Sequence, residues 1–444
     1  MVMTAHTNDD GFTLVEVIVA MLVFAIVMTG FLYTVTAALV TTRDTRARVV
    51  AANLAAQQID LARSAASVFD ITNHTLAPIT LNGDTFHVAV TTSWITDGGT
   101  AASCEAGTAT GALSYKQVSV EVTWDNMRGG AQPVRSDTVM APKTKINNPT
   151  LGTVLVGVVN AAGTAVAGAT VSLAPANVPA ATTDSDGCAY LLKVPPADTY
   201  TVTVSKPGYV GYANGALVDT PSATVSVTAG NSSRVSFAFD KATTFTATYA
   251  PDAPATTLVP TDLTTTFLST YGTFPITTSG TGLTKTFTLF PFSSGYSVVA
   301  GAYVESSDPG SACLAPDPGQ WAAESDTVAT RPAPVAGTPG GAASVDVGMG
   351  VIRIPAVSGT NTYLKAEYVG GGDGDPGCKR GMTYTFGSVL SSRATTTIAL
   401  PYGTWKLYRG SRNAQTTAID SGLTLLTDGA ITAQGIVLDP RTAG

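Results

Sequence analysis

Charge is scarce in this 444-residue chain: only 12% of its residues are Asp, Glu, Lys or Arg, about half the share of an ordinary soluble protein. What charge there is leans acidic, with a formal net charge of −7 and a pI near 5.0. The basic footprint that nucleic acid requires is therefore missing. Histidine is limited to His6, His74 and His87, all near the N-terminal end. A Ser-His-Asp or Cys-His centre in the C-terminal part is excluded, and a histidine-based zinc site is hard to assemble. No GxxxxGK[ST] run occurs, so any ATP hydrolysis would fall to a partner. The four cysteines, Cys104, Cys188, Cys313 and Cys378, are far apart in sequence, which removes CxxC metal spacing. Proline is absent before Pro78, and nothing there forces a helix to break.

What is abundant points to β structure. The chain holds 44 Gly and 25 Pro, with many Thr, Ala, Ser and Val, a composition of short strands joined by turns. Its length suggests two to four domains. The low-charge style suits a secreted surface protein. Carboxylate pairs such as Glu305 with Asp308 fall on expected loops, where solvation is the simpler reading. No enzymatic activity, cofactor or metal is expected.

From Phe12 to Val40 the sequence is apolar except for Glu16 and scattered Thr, Gly and Tyr. As a helix this stretch measures about 43 Å at 1.5 Å per residue, more than the roughly 30 Å of a hydrocarbon core. It is also far longer than the apolar core of a secretory signal. Arg43, Asp44, Arg46 and Arg48 follow as a polar collar, and then Val50, Leu54, Leu61, Ala65 and Phe69 recur at helical steps. One long helix is expected over 12–66, its first half in lipid and its second half packed on a globular head. Glu16 is the anomaly, because a lone carboxylate costs about 2.5–3.5 kcal/mol at the bilayer centre. Keeping it implies a cationic partner.

Gly11-Phe12-Thr13-Leu14-Val15-Glu16 ahead of that apolar run resembles the cleavage and methylation motif of type IV prepilins, including minor pilins and pseudopilins. The resemblance implies a leader over 1–11, cut after Gly11 by a prepilin peptidase that methylates the new amine of Phe12. It also implies that Glu16 neutralises the terminal amine of a neighbouring subunit during assembly. The leader Met1–Gly11 carries no Lys or Arg, whereas Arg43, Arg46 and Arg48 lie on the far side. A strict positive-inside count would reverse the topology. The motif takes precedence, since export in that family follows the leader and its peptidase.

Over 67–144 a pilin-like β head is expected. Thr85–Thr92 alternates in part, Tyr115–Trp124 places Val118, Val120 and Val122 on one face, Arg128-Gly129-Gly130 reads as a turn, and Val134–Met140 as the return strand. Asn147-Asn148-Pro149 marks a boundary. Over 152–240, Ala167-Gly168-Ala169-Thr170-Val171, then Thr183-Asp184-Ser185-Asp186-Gly187, then Val194-Pro195-Pro196-Ala197-Asp198-Thr199-Tyr200-Thr201-Val202 resemble the carboxypeptidase regulatory-like domain. That family is a prealbumin-type β-sandwich, non-catalytic despite its name. The Asp184–Gly187 run, like Gly372–Pro376, could offer calcium oxygens, but a tight turn is favoured.

Residues 241–444 remain strand-rich, with Thr286–Phe290, Ser297–Tyr303, Tyr363–Tyr368 and Thr395–Leu400 as expected strands. Leu400-Pro401-Tyr402-Gly403-Thr404-Trp405 echoes the Val194–Tyr200 passage. The echo suggests a further sandwich in two halves joined by the Pro/Gly-rich stretch Arg331–Ala342. In an exported chain the cysteines suggest disulfides: Cys313 with Cys378, both in Gly/Pro/Asp-rich loops, leaving Cys104 with Cys188. Free thiols are the alternative.

The expected architecture is thus an α+β pilin module, a long N-terminal helix plus a small antiparallel sheet, followed by all-β sandwich modules. The expected role is a structural subunit of a type IV pilus or secretion pseudopilus in a bacterium. Its partners would be a prepilin peptidase, other pilin subunits, the assembly platform and membrane lipid, with a surface or glycan ligand for the sandwiches. A membrane-tethered adhesin outside any filament is the alternative.

Overall fold

The computed structural model describes residues 13–102, 104, 111–127, 130–213, 215–302, 317–324, 327–359, 361–377 and 381–443. Its contacts divide into two units, Met1–Ser103 with Ala109–Ile146, and Cys104–Thr108 with Asn147–Gly444.

The first unit is α+β. One 51-residue helix runs Leu14–Ser64, slightly inside the expected 12–66. From Leu14 to Arg43 every side chain is exposed. Beyond that the helix packs on a sheet through Ala47, Ala51, Leu54, Ala55, Gln58, Ile59 and Ala62. The expected stripe of larger residues is only partly right. Leu54 is buried, but Leu61 is 56% exposed, Ala65 is the C-cap, and Phe69 lies in the short 3₁₀ turn Val68–Asp70. The packing face is carried by alanines, whose small side chains let the helix approach the strands closely. The sheet is antiparallel, with Asp84–Thr96, Leu113–Trp124 and Val134–Met140 in that order. Val118, Val120 and Val122 are fully buried and meet Val88, Val90 and Phe86 in the core. Of the expected turn after the second strand, Arg128 and Gly129 lie outside the described residues.

The second unit begins with the sandwich expected at 152–240. Its first sheet centres on Gly152–Val159, paired antiparallel with Cys188–Val194 and parallel with Ser232–Lys241. Its second sheet centres on Ala197–Ser205, flanked by Thr170–Ala174 and Ser222–Val227. Val154, Val156 and Val158 of one sheet and Val171, Val202 and Val204 of the other share the core.

That topology recurs twice. Thr243–Tyr249 pairs antiparallel with Thr284–Leu289 and parallel with Ala342–Val347, while Thr264–Ser269 pairs with Ser297–Ala300 and Gly272–Thr277. Gly350–Ile354 pairs with Thr396–Leu400, while Tyr363–Tyr368 pairs with Gly403–Ser411 and Thr383–Ser388. In this last sandwich the parallel closing strand is replaced by short, antiparallel Thr424–Leu425.

The C-terminal region is therefore two sandwiches in tandem, joined at Gly348–Met349, and the stretch 331–342 is not the joint. Residues 331–341 lie inside the first of them, where Val335 and Tyr296 exchange backbone hydrogen bonds of 2.9 and 3.0 Å. A strand laid parallel to its partner needs a long crossover, and this stretch is part of it. The two sandwiches share one hydrophobic core, from Phe245 to Trp405 and Leu438. Arg441, only 5% exposed, ties them at the rim by ion pairs to Asp439 at 2.7 Å, Glu324 at 3.1 Å and Asp373 at 3.2 Å.

A shared local device marks each sandwich. Where the chain crosses from the first sheet to the second, a buried aromatic donates back to a carbonyl at or next to a proline. Tyr200 donates to Pro195 at 3.0 Å, Tyr296 to Phe290 at 2.6 Å and Trp405 to Pro401 at 2.8 Å. Replacing Tyr200 by phenylalanine is expected to lower unfolding free energy by about 1 kcal/mol, the usual net worth of one such bond. Urea denaturation of the two proteins measures it, and the midpoint should fall without a change of slope.

Candidate functional site

Gly11 and Phe12 lie outside the described residues; Glu16 occupies the third position of the helix. Thr13 is its N-cap, and the Thr13 hydroxyl accepts from the Glu16 amide at 3.4 Å. Thr-x-x-Glu is the sequence of a capping box, so part of what holds Glu16 in place is local. A carboxylate at a helix N-terminus gains only about 0.3–1 kcal/mol from the macrodipole. That is less than the about 2.5–3.5 kcal/mol of a lone charge at the bilayer centre, a cost that falls toward the membrane edge where the helix begins. The side chain is exposed and faces outward.

The helix between Glu16 and Arg43 is well built for lipid. Its polar hydroxyls turn back on their own backbone: Thr29 donates to Ala25, Thr34 to Phe31, Thr41 to Ala37 and Thr42 to Ala38, at 2.7–2.8 Å. Thr36 bonds Leu32 in the same way. Hydroxyls satisfied within the helix need no water, which a bilayer cannot supply. Leu14, Phe24, Ile26, Phe31, Leu32 and Leu39 are each at least 59% exposed, an outer surface suited to acyl chains or neighbouring helices.

At the collar the arginines are largely neutralised. Arg43 is paired to Asp84, its Nε 3.0 Å from the carboxylate, and the Asp84 side chain is only 8% exposed. Arg48 pairs with Asp44 at 3.2 Å and lies 5.7 Å above the Trp124 ring. Of the three, the Arg46 side chain alone makes no ion pair or hydrogen bond among the described residues. Three arginines against Asp44 and Asp84 leave a net charge of about +1 at the collar. The Arg43–Asp84 pair spans 41 residues and has no local signal in the sequence. Asp84 opens the strand after the Asn82-Gly83 turn, and both turn residues have positive φ, +53° and +84°, as a two-residue hairpin loop requires.

In the second unit the acidic runs are turns. One Asp184 oxygen accepts from the backbone amides of Asp186 at 3.0 Å and Cys188 at 2.9 Å, and Gly187 has φ +71°. Asp375 accepts from the Gly377 amide at 2.9 Å, the Thr404 amide at 2.8 Å and the Thr404 hydroxyl at 2.6 Å. Among the described residues no group of three or more metal-ligating side chains converges. His74 bonds the Thr72 carbonyl at 2.9 Å and His87 pairs with Asp125 at 3.0 Å; neither faces a nucleophile in these bonds. Glu305 and Asp308 fall outside the described residues.

Cys104 and Cys188 are joined by a disulfide, with Cα atoms 5.7 Å apart, inside the usual range. The Cys104 carbonyl also accepts from Arg234 Nε at 2.8 Å. It presses so close to Gly157 that a Cβ there would stand 2.5 Å from it, so Gly157 cannot carry a side chain without displacing it. Cys313 and Cys378 lie outside the described residues.

Residues 7–32 match the prokaryotic N-terminal methylation motif, and residues 153–240 match the carboxypeptidase regulatory-like domain. The first match implies processing by a prepilin-type peptidase and a membrane-anchored precursor. No curated protein matches the chain in sequence. Among solved structures, the Bacillus anthracis TIE protein aligns at 12% identity over 86% of this chain and 76% of its own, with a TM-score of 0.20. A streptococcal ancillary pilin aligns at 11% identity over 44% of this chain and 70% of its own, with a TM-score of 0.17. Overlaps this loose carry no argument about function.

Proposed function

We propose that this chain is a minor pilin or pseudopilin, a subunit of a type IV pilus or secretion-type filament bearing three outward β-sandwiches. The observation that carries this reading is the methylation motif at the head of one continuous helix. The helix is exposed and apolar as far as the collar and packs on a sheet beyond it. The subunit is inserted as a single-pass precursor, trimmed after Gly11, and drawn by the assembly platform into a bundle of like helices. Glu16 meets the amine of a neighbouring Phe12 there and fixes the register. Heads of this size suit a low-copy subunit, because a filament made only of them would be crowded. The sandwiches then serve tip or surface contacts, and no catalytic step belongs to the reading.

Mass spectrometry of protein from the native host tests it directly. The mature chain is expected to begin at N-methylated Phe12, and a chain beginning at Met1 would overturn the proposal. A tethered adhesin outside any filament is the second reading, favoured by the share of the chain given to sandwiches. It predicts correct anchoring but no antigen in sheared filament fractions.

A further inference from the structure

Among the described residues of the second unit, Tyr271 is the one aromatic side chain that stands more than half exposed, at 53%. It sits at the tip of the hairpin formed by Thr264–Ser269 and Gly272–Thr277, in a two-residue loop closed by the pairing of Ser269 with Gly272. Exposed side chains ordinarily change rotamer freely, but this one is held. Its ring stacks on that of buried Phe292, with centroids 4.4 Å apart and planes 12° from parallel. Its carbonyl accepts from the Tyr212 hydroxyl at 2.8 Å, and the Tyr212 ring stands edge-on to the stacked pair. One face of the Tyr271 ring is thereby fixed against the protein, and among the described residues no second ring stacks on the other.

Hydroxyl groups lie beside it. The Ser294 hydroxyl is 3.1 Å from that of Thr270 and 3.5 Å from that of Ser269, and Thr270 and Ser294 are exposed. Charge is missing. Across 261–302 only Asp262 and Lys285 are charged, and neither falls in the hairpin tip or in the 290–296 turn that carries Phe292 and Ser294. A fixed, open ring bordered by hydroxyls and free of ions has the chemistry that a neutral pyranose matches. Such a sugar presents C–H bonds on one face, and their positive ends are drawn to the negative face of a π system. Its own hydroxyls exchange hydrogen bonds with those at the rim. Holding the ring in advance removes part of the ordering cost of binding. The rival occupant is a partner protein, but a protein interface needs a buried centre of clustered apolar side chains, and here a single exposed ring stands among polar groups.

We infer that the Tyr271 tip is a carbohydrate-binding site for a neutral pyranose unit of a surface glycan. The Tyr271 ring is the stacking platform, the Thr270 and Ser294 hydroxyls are the rim groups, and Phe292 and Tyr212 are positioning residues. The inference deepens the surface-contact role proposed for the sandwiches and does not depend on filament assembly. A chain beginning at Met1 would sink the pilin reading and leave this site standing, whereas a tip that takes no sugar would leave the pilin reading untouched.

The test uses the full-length protein in phosphatidylcholine nanodiscs, which bring no sugar of their own, with cellotetraose, maltotetraose and chitotetraose as neutral probes and tetragalacturonate as the charged one. Saturation-transfer NMR is expected to show at least one neutral probe bound, and bound more tightly than tetragalacturonate. Tyr271→Leu keeps an apolar cover over Phe292 and should weaken that binding about tenfold, the upper end of what an aromatic contact adds, with thermal melting unchanged. Tyr271→Phe keeps the ring and should retain most of the affinity. Binding of no neutral probe, tighter binding of tetragalacturonate, or parental affinity in Tyr271→Leu would each overturn the assignment. Adhesion to target cells that survives enzymatic removal of their glycans yet falls with Tyr271→Leu would overturn it too, and would give the tip to a protein partner.

Discussion

Replacing Glu16 by leucine is expected to leave precursor insertion and cleavage after Gly11 intact while lowering filament incorporation on the order of 100-fold. In the assembled state the proposed partner of Glu16 is the amine of a neighbouring Phe12. Without the carboxylate that ammonium is unpaired in an apolar bundle, at about 2.5–3.5 kcal/mol, and each 1.4 kcal/mol is a factor of ten. Glu16→Gln keeps the shape and the capping hydrogen bond from its amide to Thr13 but not the charge, so it should fail nearly as badly. Glu16→Asp should be intermediate. Immunoblots of sheared filament against membrane fractions give the ratio. If Glu16→Gln assembles normally, the residue serves only as a helix cap, and pairing is not its role.

The second large effect is expected from the disulfide. Removing it by Cys104→Ala with Cys188→Ala frees a loop closed over a sequence separation of 84, worth about 4–5 kcal/mol in the chain-entropy account. Alanine avoids burying a hydroxyl where both sulfurs are almost fully covered. Chemical denaturation followed at the sandwich should show the loss, and reducing agent should bring the parent protein toward the variant. A difference below about 1 kcal/mol would mean that the packing of Cys104 around Gly157 and Arg234 holds the segment without the bond.

How far the sequence discloses this structure depends on the range over which each signal acts. The anchor helix is legible because its signals are local: an unbroken apolar run, no proline, and Glu16 three residues after a capping threonine. The first sandwich is legible through turn chemistry at Asp184–Gly187 and Pro195–Tyr200. The helix face is misread because alanine is a weak hydrophobic marker; Leu61 stands out in sequence and Ala51 does not, yet Ala51 is the buried one. The collar is hidden because Asp84 is remote from Arg43 and is placed by a hairpin. The tandem sandwiches are half hidden. Pro401 with Trp405 echoes Pro195 with Tyr200 visibly, whereas in the middle sandwich Tyr296 donates to Phe290, the residue before Pro291, rather than to the proline itself.

The parallel pairing of first and last strands has a mechanical consequence. Gly152–Val159 and Ser232–Lys241 lie side by side in the same direction, and Ser232–Lys241 runs through Ala242 into Thr243–Tyr249, itself parallel to Ala342–Val347. Tension applied to the two ends of either sandwich pulls these neighbours past each other along their length. Every rung of the ladder is then loaded at once, and none can be peeled away singly. In the proposed filament, a load taken up by these sandwiches would pass through the shear-loaded ladders before any core opened.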